Sequence, residues 1–405
     1  LKSNTTGTNN VAVGKDSLDT NTTSDDNTAI GRFALSANTG ANNTAVGSCS
    51  LKTNSSGANN TAVGLCVMLS NTTGCYNHAL GRNTLMDNTT GCYSTAIGQQ
   101  ALQNSSATGD TGNTAVGALS LYENTSGTNN TAVGRLALSC NTTTSNNTAV
   151  GFCALACTTG RHNTGFGTCA LKLNTSGIQN VAVGSGSLDA NTTADANTAV
   201  GYESLHLNTT GNCNTAVGNG ALNENTTGGN NTAVGLNALC KVTGVGSVNT
   251  ALGDSAGNAI TTGCYNTMIG HGTDPSSATS LFEVVLGHGG TGKGSATFFV
   301  SNVANGVFNT ANATAWSQTS DRRIKKNIVN NNEGLDKINQ IQVKDFEYRT
   351  KDEVTDFENV ETAYVDKSGV QVGVIAQEIE AIFPEMVTTQ STGVKTFNPE
   401  KLTFY

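Results

Sequence analysis

A short phrase, most often N-T-A-V-G, recurs along most of this 405-residue chain. Its glycine stands at Gly14, Gly31, Gly47, Gly64, Gly81, Gly98, Gly117, Gly134, Gly151, Gly167, Gly184, Gly201, Gly218, Gly235, Gly253 and Gly270. Eleven of the fifteen intervals are 17 residues, and the others are 16, 19, 16 and 18. The residue four before the glycine is Asn in every copy but one, which has Ser94. The residue four after it is Leu, or once Met68, in every copy from Gly14 to Gly235. Side-chain types held at a constant interval mean one supersecondary unit stacked on itself.

Seventeen residues suffice for one circuit of a narrow parallel β-solenoid. N-T-A-V-G alternates small and β-branched residues, x-x-A-L continues after the glycine bend, and N-T-T-G or N-T-S-G supplies a turn, which predicts two short strands per coil. Val and Leu layers fill the interior, and each backbone pairs with the coils above and below. An Asn at one place in every coil forms a ladder whose amide reaches the next coil. At about 4.8 Å per rung, sixteen coils make a rod on the order of 75 Å.

Composition agrees with an all-β rod. Apolar residues make up 36% and aromatics 5%, with 47 Gly and 3 Pro, against about 45–50% apolar in ordinary globular domains. One narrow roll of small residues buries little apolar area, so association with further chains is physically reasonable. Charge marks the domain boundaries: residues 1–270 carry 9 Lys/Arg and 12 Asp/Glu, whereas residues 321–405 carry 11 and 15. The expected organisation is a solenoid over 1–270, a β-rich neck over 271–320 containing FEVVLG and ATFFVSNV, and a small α+β module over 321–405. In that module NEGLDKINQI has helical spacing, VKDFEYR reads as a strand, and VGVIAQEIEAIFPEMV as a strand and a helix stopped at Pro384. A net charge of -8 gives no nucleic-acid footprint, and no apolar run nears the roughly 18 residues of a membrane span. The chain begins inside a repeat without an initiator Met or signal pattern, as expected of a piece of something longer.

The eleven cysteines fall at meaningful places in the period. Cys49 and Cys66 each lie two after a repeat glycine, as do Cys153 and Cys169; Cys75 and Cys92 lie eleven after, and Cys140 and Cys157 six after. Equivalent Cα atoms on neighbouring rungs are about 4.8 Å apart, inside the roughly 4.4–6.8 Å disulfide window, so these four pairs are candidate coil-to-coil staples and point to an oxidising destination. Cys213, Cys240 and Cys264 have no match on a neighbouring coil. Sequons at Asn21, Asn71, Asn88, Asn141, Asn191, Asn208 and Asn225 all lie seven after a repeat glycine. They are expected on one turn edge, as glycan acceptors if the chain enters a glycosylating route, or simply as turn chemistry.

Other chemistry has little support. Cys and His lack metal-site spacing, so neither a metal nor a cofactor is expected. His78, His162, His206, His271 and His288 have no partnered motif. Asp16, Asp87, Asp110, Glu123 and Glu203 do not recur at facing positions, against a polysaccharide-cleaving site. Threonine placed mostly in turns speaks against ice binding.

NTAVGRLAL, ending at Leu138, resembles the head repeats of trimeric autotransporter adhesins and of related phage and bacterial surface fibres. The resemblance implies a parallel β-roll in which three chains pack together. Downstream, SDRRIKKNI from Ser320 and GVIAQEIEAIFPEMV from Gly373 together resemble the endosialidase-type intramolecular chaperone domain of phage tail fibres and spikes. That resemblance implies a domain that drives trimer assembly and then cuts itself off with a serine-lysine dyad. Carried over by motif position, Ser320 is the nucleophile, Lys325 the base, and Ser320-Asp321 the scissile bond. Desolvation and the cations Arg322, Arg323 and Lys326 would lower the lysine pKa towards neutrality. The expected protein is a trimeric extracellular or virion fibre whose only reaction is on itself. The runner-up is a cell-surface adhesin that binds host glycan or protein and keeps the module as an uncleaved cap.

Overall fold

A computed structural model describes residues 1–302, 305–310, 334–354, 365, 367–391 and 393–398. The chain divides into two units, Leu1–Thr319 and Ser320–Tyr405. The first is a parallel β-solenoid. Each repeat contributes a three-residue strand such as Thr44–Val46, paired in register with the next, Thr61–Val63. The sheet runs on beyond Gly270: Thr267–Ile269 pairs with Val284–His288, which pairs with Thr297–Asn302, and antiparallel Asn305–Thr310 closes the stack. Part of the segment expected as a neck therefore adds rungs to the same sheet.

The expectation of two strands per coil is corrected to one. The stretch after the glycine is a run of turns in which the conserved leucine takes a left-handed backbone, φ 49° at Leu51 and 51° at Leu138. A bulky residue there costs roughly 1–3 kcal/mol. Complete burial of the side chain, worth about 1.5–3 kcal/mol, offsets that cost while letting a 17-residue circuit close. A second pair of strands occurs where Thr90–Cys92 pairs with Thr108–Asp110 of the 19-residue interval, and single parallel bridges join Cys264 to Leu281 and Asp274 to Thr291. The repeat glycine is required by the rung spacing: Gly64 has φ 137°, and a Cβ there would lie 2.6 Å from the Gly81 carbonyl oxygen.

The interior is a set of columns. Leucine, the central alanine of each strand and a small residue before the leucine are buried along the rod, as in Ala45, Ser50 and Leu51. Two further buried columns are asparagine. In the first, four before the glycine, Asn43 Oδ1 accepts the Asn60 N–H and Asn60 Oδ1 accepts the Asn77 N–H, both at 3.0 Å. Asn60 Nδ2 also donates to the Gly74 carbonyl at 2.8 Å. In the second, seven after the glycine, Asn71 Nδ2 donates to Asn54 Oδ1 at 2.7 Å and Asn88 Nδ2 to Asn71 Oδ1 at 2.8 Å. Where Ser94 replaces asparagine, its hydroxyl shares a 2.6 Å hydrogen bond with that of Thr111. At the far end Glu283 takes the asparagine place. Its N–H donates to Asn266 Oδ1, and its buried carboxylate accepts the N–H groups of Ser276 and Gly294 at 2.9 and 3.0 Å.

The second unit, by itself, matches the elements read from its sequence. Helix Gly334–Ile338 precedes strand Lys344–Phe346, which pairs antiparallel with Gln371–Gly373. Helix Ala376–Ile382 ends before Pro384, and Val387–Thr389 pairs with Lys395–Phe397. Ile379, Phe383 and Met386 form its buried core.

Replacing Asn60 by alanine leaves the Asn77 N–H and the Gly74 carbonyl buried without their side-chain partner. At about 1–3 kcal/mol for each of the two orphaned groups, the expected loss is about 2–6 kcal/mol. Native-state hydrogen exchange should show the Asn77 amide exchanging more than tenfold faster; unchanged protection would show that the ladder does not hold the rungs.

Candidate functional site

Ser320, Asp321 and Lys325 lie outside the described residues. The second phrase of the C-terminal motif is described, and its local geometry follows from its sequence. Gly373 ends a strand against Phe346, whose ring would lie 3.2 Å from a Cβ at that position. Ile379 and Phe383 recur at helical spacing and point into the core, while Glu378 and Glu380 pair with Lys344 and Lys395. A cleft of about 510 Å³ opens beside this helix, lined by Phe346, Tyr348, Val354, Val365, Val374 and Phe397 among others. Val343, Val370 and Val372, on or beside the two-stranded sheet, are exposed.

The eleven thiols are unbonded. In each of the four sequence-matched pairs the two cysteines stand on neighbouring rungs, and one thiol of the pair raises the pKa of the other. Burial, and then the Cys49 thiol, push the Cys66 pKa up; burial and Cys140 do the same to Cys157, and burial and Cys169 to Cys153. Cys75 and Cys92 have a further role that the pairing pattern did not reveal. Cys75 Sγ accepts the Ala58 N–H at 3.3 Å and Cys92 Sγ accepts the Cys75 N–H at 3.1 Å. The same place in other coils holds Asp25, Ser145, Asp195 and Asn212, each accepting an N–H from the coil before. Cys264 joins this column by accepting the Ser247 N–H at 3.5 Å. An acceptor type recurring at a fixed place was the available signal.

The seven sequon asparagines are not on an exposed edge. Asn21, Asn71, Asn88, Asn141, Asn191, Asn208 and Asn225 are at most 1% exposed and form the second asparagine column. Asn191 Nδ2, for example, donates to Asn174 Oδ1 at 2.7 Å and to the Ala194 carbonyl at 3.1 Å. A glycan on Nδ2 and the folded coil exclude one another.

Residues that look scattered in the sequence meet because 17 residues bring the chain back to the same place. Tyr76 and Tyr93 stack with ring centroids 5.1 Å apart, Tyr265 and Phe282 at 4.8 Å, and His271 and His288 at 5.0 Å. Asp254 lies one rung before His271, 4.0 Å from its Nε2. Among the described residues no group of three or more His, Cys, Asp or Glu is placed to hold a metal, and no helix is long and apolar enough to cross a membrane.

Expression in a glycosylating secretory host should yield folded protein whose intact mass carries no N-glycan at the seven ladder asparagines; a glycosylated, protease-resistant rod would refute the buried ladder.

No curated protein and no solved structure matches the chain. Residues 320–388 match the family model described as the chaperone of endosialidase. The described part of that match is the strand, helix and core just described, and the solenoid precedes it. The chain is thus a fibre-like β-solenoid followed by a unit that, over residues 320–388, is similar to the chaperone of endosialidase.

Proposed function

We propose that this protein is a homotrimeric structural fibre of a virion or cell surface whose C-terminal unit templates trimer assembly and then cuts the Ser320-Asp321 bond. The observation that carries the trimer is the outward face of the sheet. The residue just before each repeat glycine is apolar on every rung from Val13 to Ile269, and the last parallel strands continue the column with Leu286 and Val300. Val13 is 56% exposed, Phe166 50% and Leu252 48%. An apolar stripe on the order of 80 Å long, at about 4.8 Å per rung, far exceeds the scattered patches of a monomer. Three copies meeting along it bury what one narrow roll leaves in water.

For cleavage, Lys325 must be neutral to accept the Ser320 hydroxyl proton. Neighbouring cations and desolvation on assembly both favour the neutral amine. Net hydrolysis consumes one water, leaving a carboxylate on Ser320 and an amine on Asp321. Requiring desolvation ties cutting to assembly, and removal of the template leaves the rod kinetically trapped. Outside the cell the four thiol pairs Cys49/Cys66, Cys75/Cys92, Cys140/Cys157 and Cys153/Cys169 would close into staples between rungs. That oxidation speeds up as pH rises because the thiolate is the reacting form, and the raised pKa values of Cys66, Cys92, Cys153 and Cys157 move the increase to higher pH.

Intact mass under denaturing, non-reducing conditions tests the cleavage. Wild type should give two fragments meeting at Ser320-Asp321, while Ser320→Ala and Lys325→Ala remain whole; an uncut wild-type trimer would make the C-terminal unit a permanent cap. Native mass of Val150→Asp tests the interface, because a carboxylate on the apolar stripe should shift trimer to monomer; a variant that remains trimeric would place the contact elsewhere. Peptide mapping after air oxidation should recover the 49–66 and 140–157 links, with Cys213 and Cys240 still alkylated.

A further inference from the structure

The rod is regular because stacking demands it, so places where the repeat is broken are informative. Three departures fall together: the one copy without the ladder asparagine, at Ser94; the one 19-residue interval, between Gly98 and Gly117; and the second strand pairing of Thr90–Cys92 with Thr108–Asp110. Beside them stand Tyr76 and Tyr93, stacked with planes 2° apart and each about half exposed. We propose that Tyr76, Tyr93, Asp110 and Asn129 form a saccharide-binding site on the side of the rod.

The geometry follows from the register. Thr95 pairs with Thr114, so the place above Tyr93 on the next rung is Gly112, which puts no side chain over the ring. Gly112 has φ 56°, and the exposed Asn129 carboxamide overhangs it, its Oδ1 2.7 Å from where a Cβ would be. The inserted residues extend the coil outward and place exposed Asp110 directly opposite Cys92, the neighbour of Tyr93. Burial and then the Asp110 charge raise the Tyr93 phenol pKa, consistent with that proximity.

A flat aromatic face edged by a carboxylate and an amide oxygen suits a pyranose ring. The apolar C–H face of the sugar packs on the ring, and its hydroxyls donate to Asp110 and Asn129. The base of a nucleic acid could stack equally well, but the phosphates of its backbone would meet Asp110 on a chain of net charge -8. Tyr265 and Phe282 stack in the same column, but the next rung there has Ala296, and the pairing beside them is a single Cys264–Leu281 bridge instead of a strand, so this pair serves as an internal control.

The proposal rests on reading the rod as an exposed fibre, and the test separates the two. Full-length protein is mixed with methyl α-glucoside, methyl β-galactoside, methyl α-rhamnoside and chitotriose and examined by saturation-transfer NMR, with oligomeric state measured separately by native mass. Saturation should reach the ring C–H protons of at least one probe. It should weaken roughly tenfold in Tyr93→Asn and in Asp110→Asn, the loss of about one good contact, and persist in Tyr265→Asn. Asparagine already occupies this left-handed place at Asn42 and Asn59, so the tyrosine variants keep the coil. No transfer to any probe, or equal transfer to both Tyr93→Asn and wild type, overturns the site. A monomer that still binds sugar overturns the trimeric fibre and leaves the site standing.

Discussion

Each rung passes its unmet polar groups to the next through a buried primary amide. The backbone of a coil pairs with its neighbours in the turns as well as in the three-residue strand, as in the Leu51 N–H to the Val67 carbonyl, and what that pairing leaves over, such as the Asn77 N–H and the Gly74 carbonyl, would otherwise be buried bare. Asparagine solves this in one side chain: Oδ1 accepts from the rung above, and Nδ2 fills a carbonyl in the turn beside it. Aspartate would place like charges one rung apart along the interior, and glutamine is a methylene too long for the space. A carboxylate is accepted where the repeats end, at Glu283, because the groups around it are all donors.

That solution determines the rest of the interior. With two columns given to amides, only the leucine column has volume, and alanine or serine must fill the others. The low apolar content of the chain therefore reflects a core that is partly hydrogen-bonded. The outward valine and isoleucine column, left in water by one chain, is the natural counterpart: apolar area that cannot be buried within a narrow coil is carried on its flat face.

The same logic separates tolerated from informative irregularities. At the acceptor place before each strand, Asp, Ser, Asn and Cys interchange because each presents a lone pair to the same N–H. The change at Ser94 is different. It takes a compensating hydroxyl, Thr111, and two extra residues that leave the core and build outward structure.

Periodicity alone made the solenoid, its rung length, the first asparagine ladder and the leucine column legible, since a fixed interval leaves one way to stack. The motif phrases likewise identified the C-terminal unit, where Pro384 placed the helix end, while its core of Ile379, Phe383 and Met386 was left to the structure. The strand count was not legible, because a leucine in left-handed conformation looks like any apolar residue after a bend. The sequons misled for a related reason: N-T-T reads as an exposed turn, and only closure of the coil turns its asparagine inward. Nor could the linear chain show that Tyr76 meets Tyr93, or that Gly112 uncovers the ring. The sequence determined which residues repeat; the tertiary structure decided which way each one points and what stands one rung away, because the coil's closure sets both.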